Sequence, residues 1–138
     1  MIAIMKLTIE DLDYIVEKRK VMAFEIDFEE LKQNYTNSFV LKNNDVILGF
    51  GYYAEEKLNG VLKDIIVFSD EEKESLQYKD MLIRSILNAA ERKGLHEMIV
   101  RSMTDKELFE NIGFEGNEKE LKLDLTNFFS MKCGCSKS

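Results

Sequence analysis

The 138-residue sequence is short of cysteine, of long apolar runs and of positive charge, and each shortage excludes a class of protein. Its two cysteines, Cys133 and Cys135, lie near the C-terminal end, which excludes a disulfide framework for the core and favours a reducing, cytoplasmic setting. No apolar run approaches the roughly 20 residues of a membrane-spanning helix. The first residues lack the basic region and cleavage site of a signal peptide, so we expect them to form a strand that leads into a helix.

The formal net charge of −7 argues against nucleic acid or an anionic membrane as the main partner, because binding to either needs a basic surface. A cationic substrate would suit this charge, although a net acidic surface is also the ordinary route to solubility. With 45% hydrophobic and 33% charged residues, the chain is expected to be globular. We expect one domain, residues 1–126, followed by a tail, residues 127–138.

The first half of the sequence predicts a strand, two capped helices and a hairpin. Ile2–Lys6 is the strand. Capping patterns at Thr8 with Asp11, and at Asp27 with Glu30, precede apolar residues at helical spacing. A short turn of Asn and Asp residues predicts a hairpin between two strands, at Ser38–Leu41 and Val46–Tyr53.

A nearly continuous apolar segment, Val61–Phe68, is typical of a strand that is covered on both faces. The amphipathic helix after it ends at Gly94. Its start has two alternatives: near Asp70, behind a Ser–x–x–Glu capping pattern, or near Tyr78. Periodicity alone fits both.

The next strand is predicted at His96–Arg101, and Thr104 with Glu107 predicts a capping box for a short helix that ends at Gly113. Alternation of leucines with charged residues predicts a last strand at Glu118–Leu125 with one exposed face. The order of elements predicts an α/β layer structure with a mixed sheet.

Several phrases in the sequence occur in the order and at the spacings typical of small N-acetyltransferases of the GNAT superfamily. They are FVLKNNDVILGFGYYA, LKDIIVF, MLIRSILNAAERKGL, HEMIVRS and ELFENIGFEG. The phrase LFENIGF, at Leu108–Phe114, is the most specific of them. From Met5 to Leu125 the chain resembles that superfamily, which implies a single domain with a central mixed, mostly antiparallel sheet and about four flanking helices.

The resemblance also implies an activity, the transfer of an acetyl group from acetyl-CoA to an amine of a small molecule or a protein. Asp64 lies on the strand that would border the acetyl group, so it is the candidate general base. The same strand would hold the pantetheine arm of the cofactor through Ile66, Val67 and Phe68. A turn and the helix N-terminus would hold the pyrophosphate, at Gln77, Tyr78, Lys79, Asp80, Met81 and Leu82.

The sequence departs from the superfamily pattern at this turn. No glycine lies between Gly60 and Gly94, so side chains occupy the positions, within Leu76–Ile83, where glycine would let phosphates approach. Four acids precede this segment: Asp70, Glu71, Glu72 and Glu74. Each carboxylate would oppose a phosphate charge by roughly 1 kcal/mol at about 8 Å. The alternative is a solvated loop in which these side chains turn away from the site.

Other candidate residues are ambiguous. Phe109 stands where the superfamily often has a proton-donating tyrosine, and a phenyl ring can pack but cannot donate. His96 is expected at the surface, far from the cleft. A pair of acids, Glu55 and Glu56, would bind a cationic substrate or form a charged turn. Two adjacent tyrosines, Tyr52 and Tyr53, are expected on opposite faces of one strand. Either one of them faces the acceptor substrate, or both belong to the core.

The tail adds a last motif, because Cys133 and Cys135 flank one glycine and could chelate a soft metal or form a reducible disulfide. Incidental thiols on an exposed tail are the alternative, and no metal site is expected in the domain. Three functions remain open. The chain is an acetyl-CoA-dependent N-acetyltransferase, a binding or regulatory module that has lost CoA binding and forms a homodimer, or a carrier of a thiol or metal module in its tail.

Overall fold

The computed structural model describes residues 1–22, 26–101 and 104–126, and within them the chain forms one seven-stranded sheet flanked by four α-helices. The order of strands in the sheet is β1-β2-β3-β4-β5-β7-β6, and all neighbours are antiparallel except β4 and β5. The predicted fold class is confirmed. The elements are β1 Ile2–Lys6, α1 Ile9–Met22, α2 Phe28–Gln33, β2 Ser38–Asn43, β3 Val46–Glu56, β4 Asn59–Val67, α3 Glu72–Arg92, β5 Glu97–Val100, α4 Lys106–Ile112, β6 Glu115–Gly116 and β7 Leu121–Asp124.

The tail lies outside the described residues, and so do Cys133 and Cys135. The domain boundary at residue 126 and the thiol hypothesis therefore stay predictions. Within the described ranges, no helix is long and apolar enough to cross a membrane.

The two predicted helix starts are confirmed. Thr8 and Asp11 form a reciprocal capping box, in which the N–H of Thr8 donates to the Asp11 carboxylate at 2.9 Å and the N–H of Asp11 donates to the Thr8 hydroxyl at 3.1 Å. Lys42 on β2 lies 2.9 Å from the same carboxylate, so the cap also ties α1 to the sheet. Asp27 caps α2 by accepting the N–H of Glu30 at 3.1 Å.

Two hairpins build the centre of the sheet. The predicted turn between β2 and β3 is confirmed, since Asn44 adopts the left-handed conformation with φ 58°. The second hairpin, between β3 and β4, turns at Lys57 with φ 59° and was not predicted, because no Gly, Asn or Asp marks its left-handed position. Strand β4 consequently begins at Asn59 and not at Val61.

Helix α3 runs without interruption from Glu72 to Arg92 and buries one stripe against the sheet. Of the two predicted starts, the early one is confirmed to within two residues and the start near Tyr78 is wrong. The predicted capping pair of Ser69 with Glu72 is also wrong, because Glu71 is the N-cap and accepts the N–H of Glu74. The predicted turn within Leu76–Ile83 is also wrong, because these residues are helical. At the other end, Gly94 takes φ 87° and ends the helix as predicted.

The region after β5 differs from the prediction in its details. The N-cap of α4 is Asp105, with φ 63° and no side-chain cap, so the predicted capping box of Thr104 with Glu107 is wrong. The Asp105 carboxylate lies 2.8 Å from Lys79 of α3, which is a contact with a residue far away in the sequence. Gly113 ends α4 with φ 132°, as predicted. The short β6 was not predicted, whereas the buried leucines of β7 alternate with exposed residues as the pattern indicated.

Two hydrophobic clusters cover the two faces of the sheet. The larger cluster packs α3 and α4 on one face and includes Tyr53, which is 1% exposed. The smaller cluster lies under α1 and α2 and includes Tyr52, which is 0% exposed. The predicted placement of the two tyrosines on opposite faces is confirmed, and both are core residues.

Candidate functional site

A β-bulge interrupts the pairing of β3 with β4. Tyr52 pairs with Asp64, but the next residue, Tyr53, pairs with Leu62, so Lys63 is an extra residue in β4. A bulge bends its strand and changes the direction of the neighbouring side chains, and such features often occur beside functional sites. The sequence carries no local signal for it, and it was not predicted.

A cleft opens along the opposite edge of β4, the edge that faces β5. β4 pairs with β5 only along Asn59–Leu62, and past this point the β4 edge that faces β5 has no partner strand in the described ranges. The space between them is a cavity of about 140 Å³. Its lining residues are Leu62, Lys63, Asp64, Ile65, Val100, Thr104, Asp105 and Phe109.

This cleft corrects one prediction from the sequence. The segment Val61–Phe68 was expected to be covered on both faces, but only Val61 and Leu62 are buried. Residues 63–68 are half-buried, because the strand pairing with β5 ends at Leu62. The apolar composition of β4 alone does not show where the neighbouring strand β5 stops pairing with it.

Asp64 lies half-buried at the bulge, opposite Tyr52 on β3. Burial of the carboxyl raises the pKa of Asp64 above its ordinary value, and the nearby charge of Glu30 raises it further, while the Tyr52 hydroxyl and Lys63 offset part of the effect. A carboxyl with a raised pKa accepts a proton more readily at neutral pH than an ordinary surface aspartate does.

Side chains of β3 and β4 connect these two strands to Glu30 of α2. The Tyr52 hydroxyl donates to Glu30 Oε1 at 3.3 Å, and Lys63 Nζ lies 3.1 Å from Glu30 Oε2. Burial and the two carboxylates of Asp64 and Glu30 raise the pKa of Tyr52, so its phenol stays protonated and can donate. The bulge thus gathers a phenol, an ammonium and two carboxylates on the α1–α2 side of the sheet.

The end of β4 is fixed by side chains on both faces. Ile66 and Phe68 pack against the smaller cluster and Val67 packs against the larger one. The N–H of Phe68 donates to the Leu48 carbonyl at 2.8 Å, toward β3 and away from the cleft. The edge of β4 that faces the cleft could hold an extended amide-containing chain through its backbone. The role of these residues in cofactor binding stays a prediction.

The N-terminus of α3 is capped by a side chain of its own segment. The Glu71 carboxylate accepts the N–H of Glu74 at 2.6 Å. Ser69 accepts the N–H of Glu71 at 3.3 Å and donates to the Glu74 carboxylate at 2.8 Å. A carboxylate therefore already occupies the positive end of the helix dipole.

The residues predicted to hold the pyrophosphate are not arranged as a turn. Gln77, Tyr78, Lys79, Asp80, Met81 and Leu82 all lie inside α3. In a helix interior each backbone N–H is bonded to the carbonyl four residues earlier, so none of these N–H groups faces a ligand. The open edge of β4 therefore leaves backbone groups for an extended ligand, whereas the helical residues 77–82 offer no backbone N–H to a pyrophosphate.

Phe109 is 5% exposed and meets Phe114 edge-on, with ring centroids 5.2 Å apart. It is a core residue, as the simpler interpretation predicted, and it also forms part of the cleft wall. His96 is exposed and precedes β5 at the end of that strand away from Val100. Its predicted surface position is confirmed.

The two acids at the end of β3 are held in ion pairs. Glu55 lies 2.6 Å from Lys93, and Glu56 lies 3.2 Å from Arg101. These contacts join the second hairpin to α3 and to the end of β5, and they favour a structural role over a substrate site. The predicted charged turn is wrong, because both acids pair with β4 as the last residues of β3. In the described part of the chain, no group of three metal-ligating side chains comes together.

No family profile and no curated protein matches the sequence. Solved structures do match the fold. The ribosomal-protein-S18-alanine N-acetyltransferase from Escherichia coli is 18% identical with a TM-score of 0.73, over 91% of this chain and 94% of that one. A GNAT-family acetyltransferase from Bacillus cereus is also 18% identical, with a TM-score of 0.71, over 90% of this chain and 97% of that one.

A third similar structure contains a cofactor. It is the N-acetylglutamate synthase from Neisseria gonorrhoeae, solved in complex with coenzyme A and L-arginine. It is 17% identical with a TM-score of 0.72, over 91% of this chain and 33% of the synthase. The identities are low, but the similarity extends over nearly the whole described chain, so this protein has the GNAT N-acetyltransferase fold that its sequence predicted.

Proposed function

We propose that the protein is an N-acetyltransferase that moves an acetyl group from a thioester, such as that of acetyl-CoA, to an amine. The observation that carries the proposal is the position of Asp64. Its carboxyl lies at the β4 bulge, its pKa is raised, and β4 separates from β5 at the same point. A proton acceptor therefore lies beside an open strand edge that can hold the donor.

The proposed chemistry needs one proton transfer and one acyl transfer. The acceptor enters as an ammonium ion and gives a proton to the Asp64 carboxylate, directly or through a water. The freed lone pair attacks the thioester carbonyl carbon, a C–N bond forms, and the C–S bond breaks with its electrons on sulfur. Solvent protonates the thiolate, since the phenyl ring of Phe109 cannot. Alignment of the two substrates contributes most of the acceleration.

The charge around Asp64 supports an acceptor that arrives as a cation. Glu30 and Asp27 both act on the Asp64 carboxyl as negative charges, and Lys63 is the opposing positive charge. The gonococcal synthase was solved with coenzyme A, and the shared fold supports a CoA-type thioester as the donor here.

A thiol-release assay with acetyl-CoA and a panel of primary amines tests this function. We expect Asp64→Asn to lower kcat/KM by about 10²- to 10⁴-fold, the usual contribution of a general base. Asp13→Asn, which changes an exposed acid of α1, is the matched control and should leave the rate unchanged. If Asp64→Asn turns over as fast as the wild type, Asp64 is not the base.

A second function is favoured by one observation, the acidic closure of the α3 N-terminus. A chain with this fold that no longer binds any CoA-type thioester would serve as a binding or regulatory module. Calorimetric titration separates the two functions: saturable heat with a thioester supports the enzyme, and no heat up to millimolar ligand, with a folded protein, supports the module.

A further inference from the structure

The charge near the start of α3 is strongly negative. Residues 70–74 contain four carboxylates and a single lysine. The Glu71 carboxylate bonds the N–H of Glu74, and Ser69 links Glu71 and Glu74 into one closed network. A phosphate that approached this helix end would find the N–H of Glu74 already bonded, and it would have to displace the Glu71 carboxylate to reach that N–H.

The lysine of α3 that follows Lys73 is already engaged in an ion pair. Lys79 lies 2.8 Å from Asp105, and the two side chains are only 18% and 22% exposed. This ion pair joins α3 to the N-cap of α4, beside the cleft that Asp105 lines. Moving Lys79 to a phosphate would leave Asp105 without this partner in a largely desolvated place, which is costly.

From these contacts we propose that the chain binds its donor through the acyl-pantetheine end alone, and that the nucleotide half of acetyl-CoA adds no affinity. The inference rests on the proposed acetyl transfer and names the donor class: an acyl thioester of pantetheine, with or without a nucleotide. Glu71 is then a specificity-determining residue, because its carboxylate bonds the N–H of Glu74 and repels a phosphate from the helix end. The backbone edge of β4 past Leu62 is the part of the molecule that recognises the arm.

The test is a calorimetric titration of the reduced full chain with acetyl-CoA and with S-acetyl-pantetheine, at low and at moderate salt. We expect the two dissociation constants to agree within about threefold and to change little with salt, because no phosphate contact contributes. A donor held by its phosphates would bind more weakly as salt rises.

Variants of the acidic segment sharpen the test. Glu71→Ser keeps a good helix cap while removing the charge. Combined with Asp70→Asn, Glu72→Gln and Glu74→Gln, it should strengthen acetyl-CoA binding by about tenfold or more and leave S-acetyl-pantetheine unchanged. Glu118→Gln, an exposed acid between β6 and β7, is the matched control and should change neither.

The outcomes separate this inference from the proposed function. Wild-type binding of acetyl-CoA at least about tenfold tighter than S-acetyl-pantetheine, and weakened by salt, overturns the inference and leaves acetyl transfer in place. No binding of either thioester overturns the proposed function and this inference with it. Should the quadruple variant not fold, the ratio of the two wild-type constants decides the question by itself.

Discussion

Replacing one residue in the middle of α3 by proline tests whether the helix runs through the segment where the resemblance implied a turn. Asp80 is the suitable position, because it lies inside α3 and its side chain is 35% exposed, so little packing is lost. Proline removes the N–H that bonds the carbonyl of Leu76 and clashes with that carbonyl, which costs about 3 kcal/mol or more in a helix. It also disfavours a helical conformation at Lys79, whose ion pair with Asp105 would be lost.

The expected shift in melting temperature follows from the size of the chain. At about 2.1 cal/mol/K per residue, 138 residues give an unfolding entropy near 0.29 kcal/mol/K, so a loss of 3 kcal/mol lowers Tm by about 10 °C. Thermal unfolding followed by circular dichroism measures this shift.

Two control variants isolate the effect. Asp80→Ala removes the ion pair with Arg84 but keeps the helix, and should change stability by no more than about 0.5 kcal/mol. Glu72→Pro places proline at the first helical residue, after an extended Glu71 with ψ 122°, and should be tolerated. If Asp80→Pro costs no more than Glu72→Pro, the segment is not helical and the argument against a pyrophosphate there fails.

Three further substitutions test the site and the fold. Asp64→Asn should raise the free energy of unfolding at pH 7 by about 0.5–2 kcal/mol, because the folded state disfavours the charged carboxyl. This gain should shrink as the pH falls through the pKa of Asp64 and vanish below about pH 4. An unchanged Tm at pH 7 would contradict the burial argument. Asp11→Ala should cost about 2–3 kcal/mol in urea unfolding at pH 7, because it uncaps α1 and leaves Lys42 unpaired. Burial alone would raise the pKa of Asp11, but hydrogen bonds from Lys42 and Thr8 lower it, so this cost should diminish as pH falls through the lowered pKa; a cost independent of pH would contradict the pairing. Gly94→Ala should cost about 1 kcal/mol from its φ of 87° alone, since an added Cβ meets nothing within 4 Å, and a neutral result would contradict the left-handed helix end.

The features that the sequence predicted correctly depend on a few neighbouring residues. The Thr8–Asp11 cap closes within one turn of chain, and its side chains bond the backbone beside them. Asn44 and Gly94 occupy left-handed positions that few other residues adopt easily. Such signals are visible in a short stretch of sequence.

The features that the sequence did not reveal depend on residues far apart in the chain. The bulge at Lys63 is a matter of register between β3 and β4, and the cleft beyond Leu62 depends on where β5 ends. Asp105, and not Thr104, is the N-cap of α4, and its carboxylate bonds Lys79, 26 residues earlier. The predicted phosphate turn came from the resemblance, whereas the acidic capping of α3 belongs to this chain.

The most direct test of the account is a map of where a thioester touches the protein. A titration of the ¹⁵N-labelled chain with S-acetyl-pantetheine, followed by amide chemical shifts, provides it. We expect saturable shifts at the amides of Lys63–Phe68 along and just after β4, with little change at Glu72–Ser75 at the start of α3. Shifts confined to the start of α3, or no shifts along β4 at millimolar ligand, would contradict the assignment of the β4–β5 cleft as the donor site.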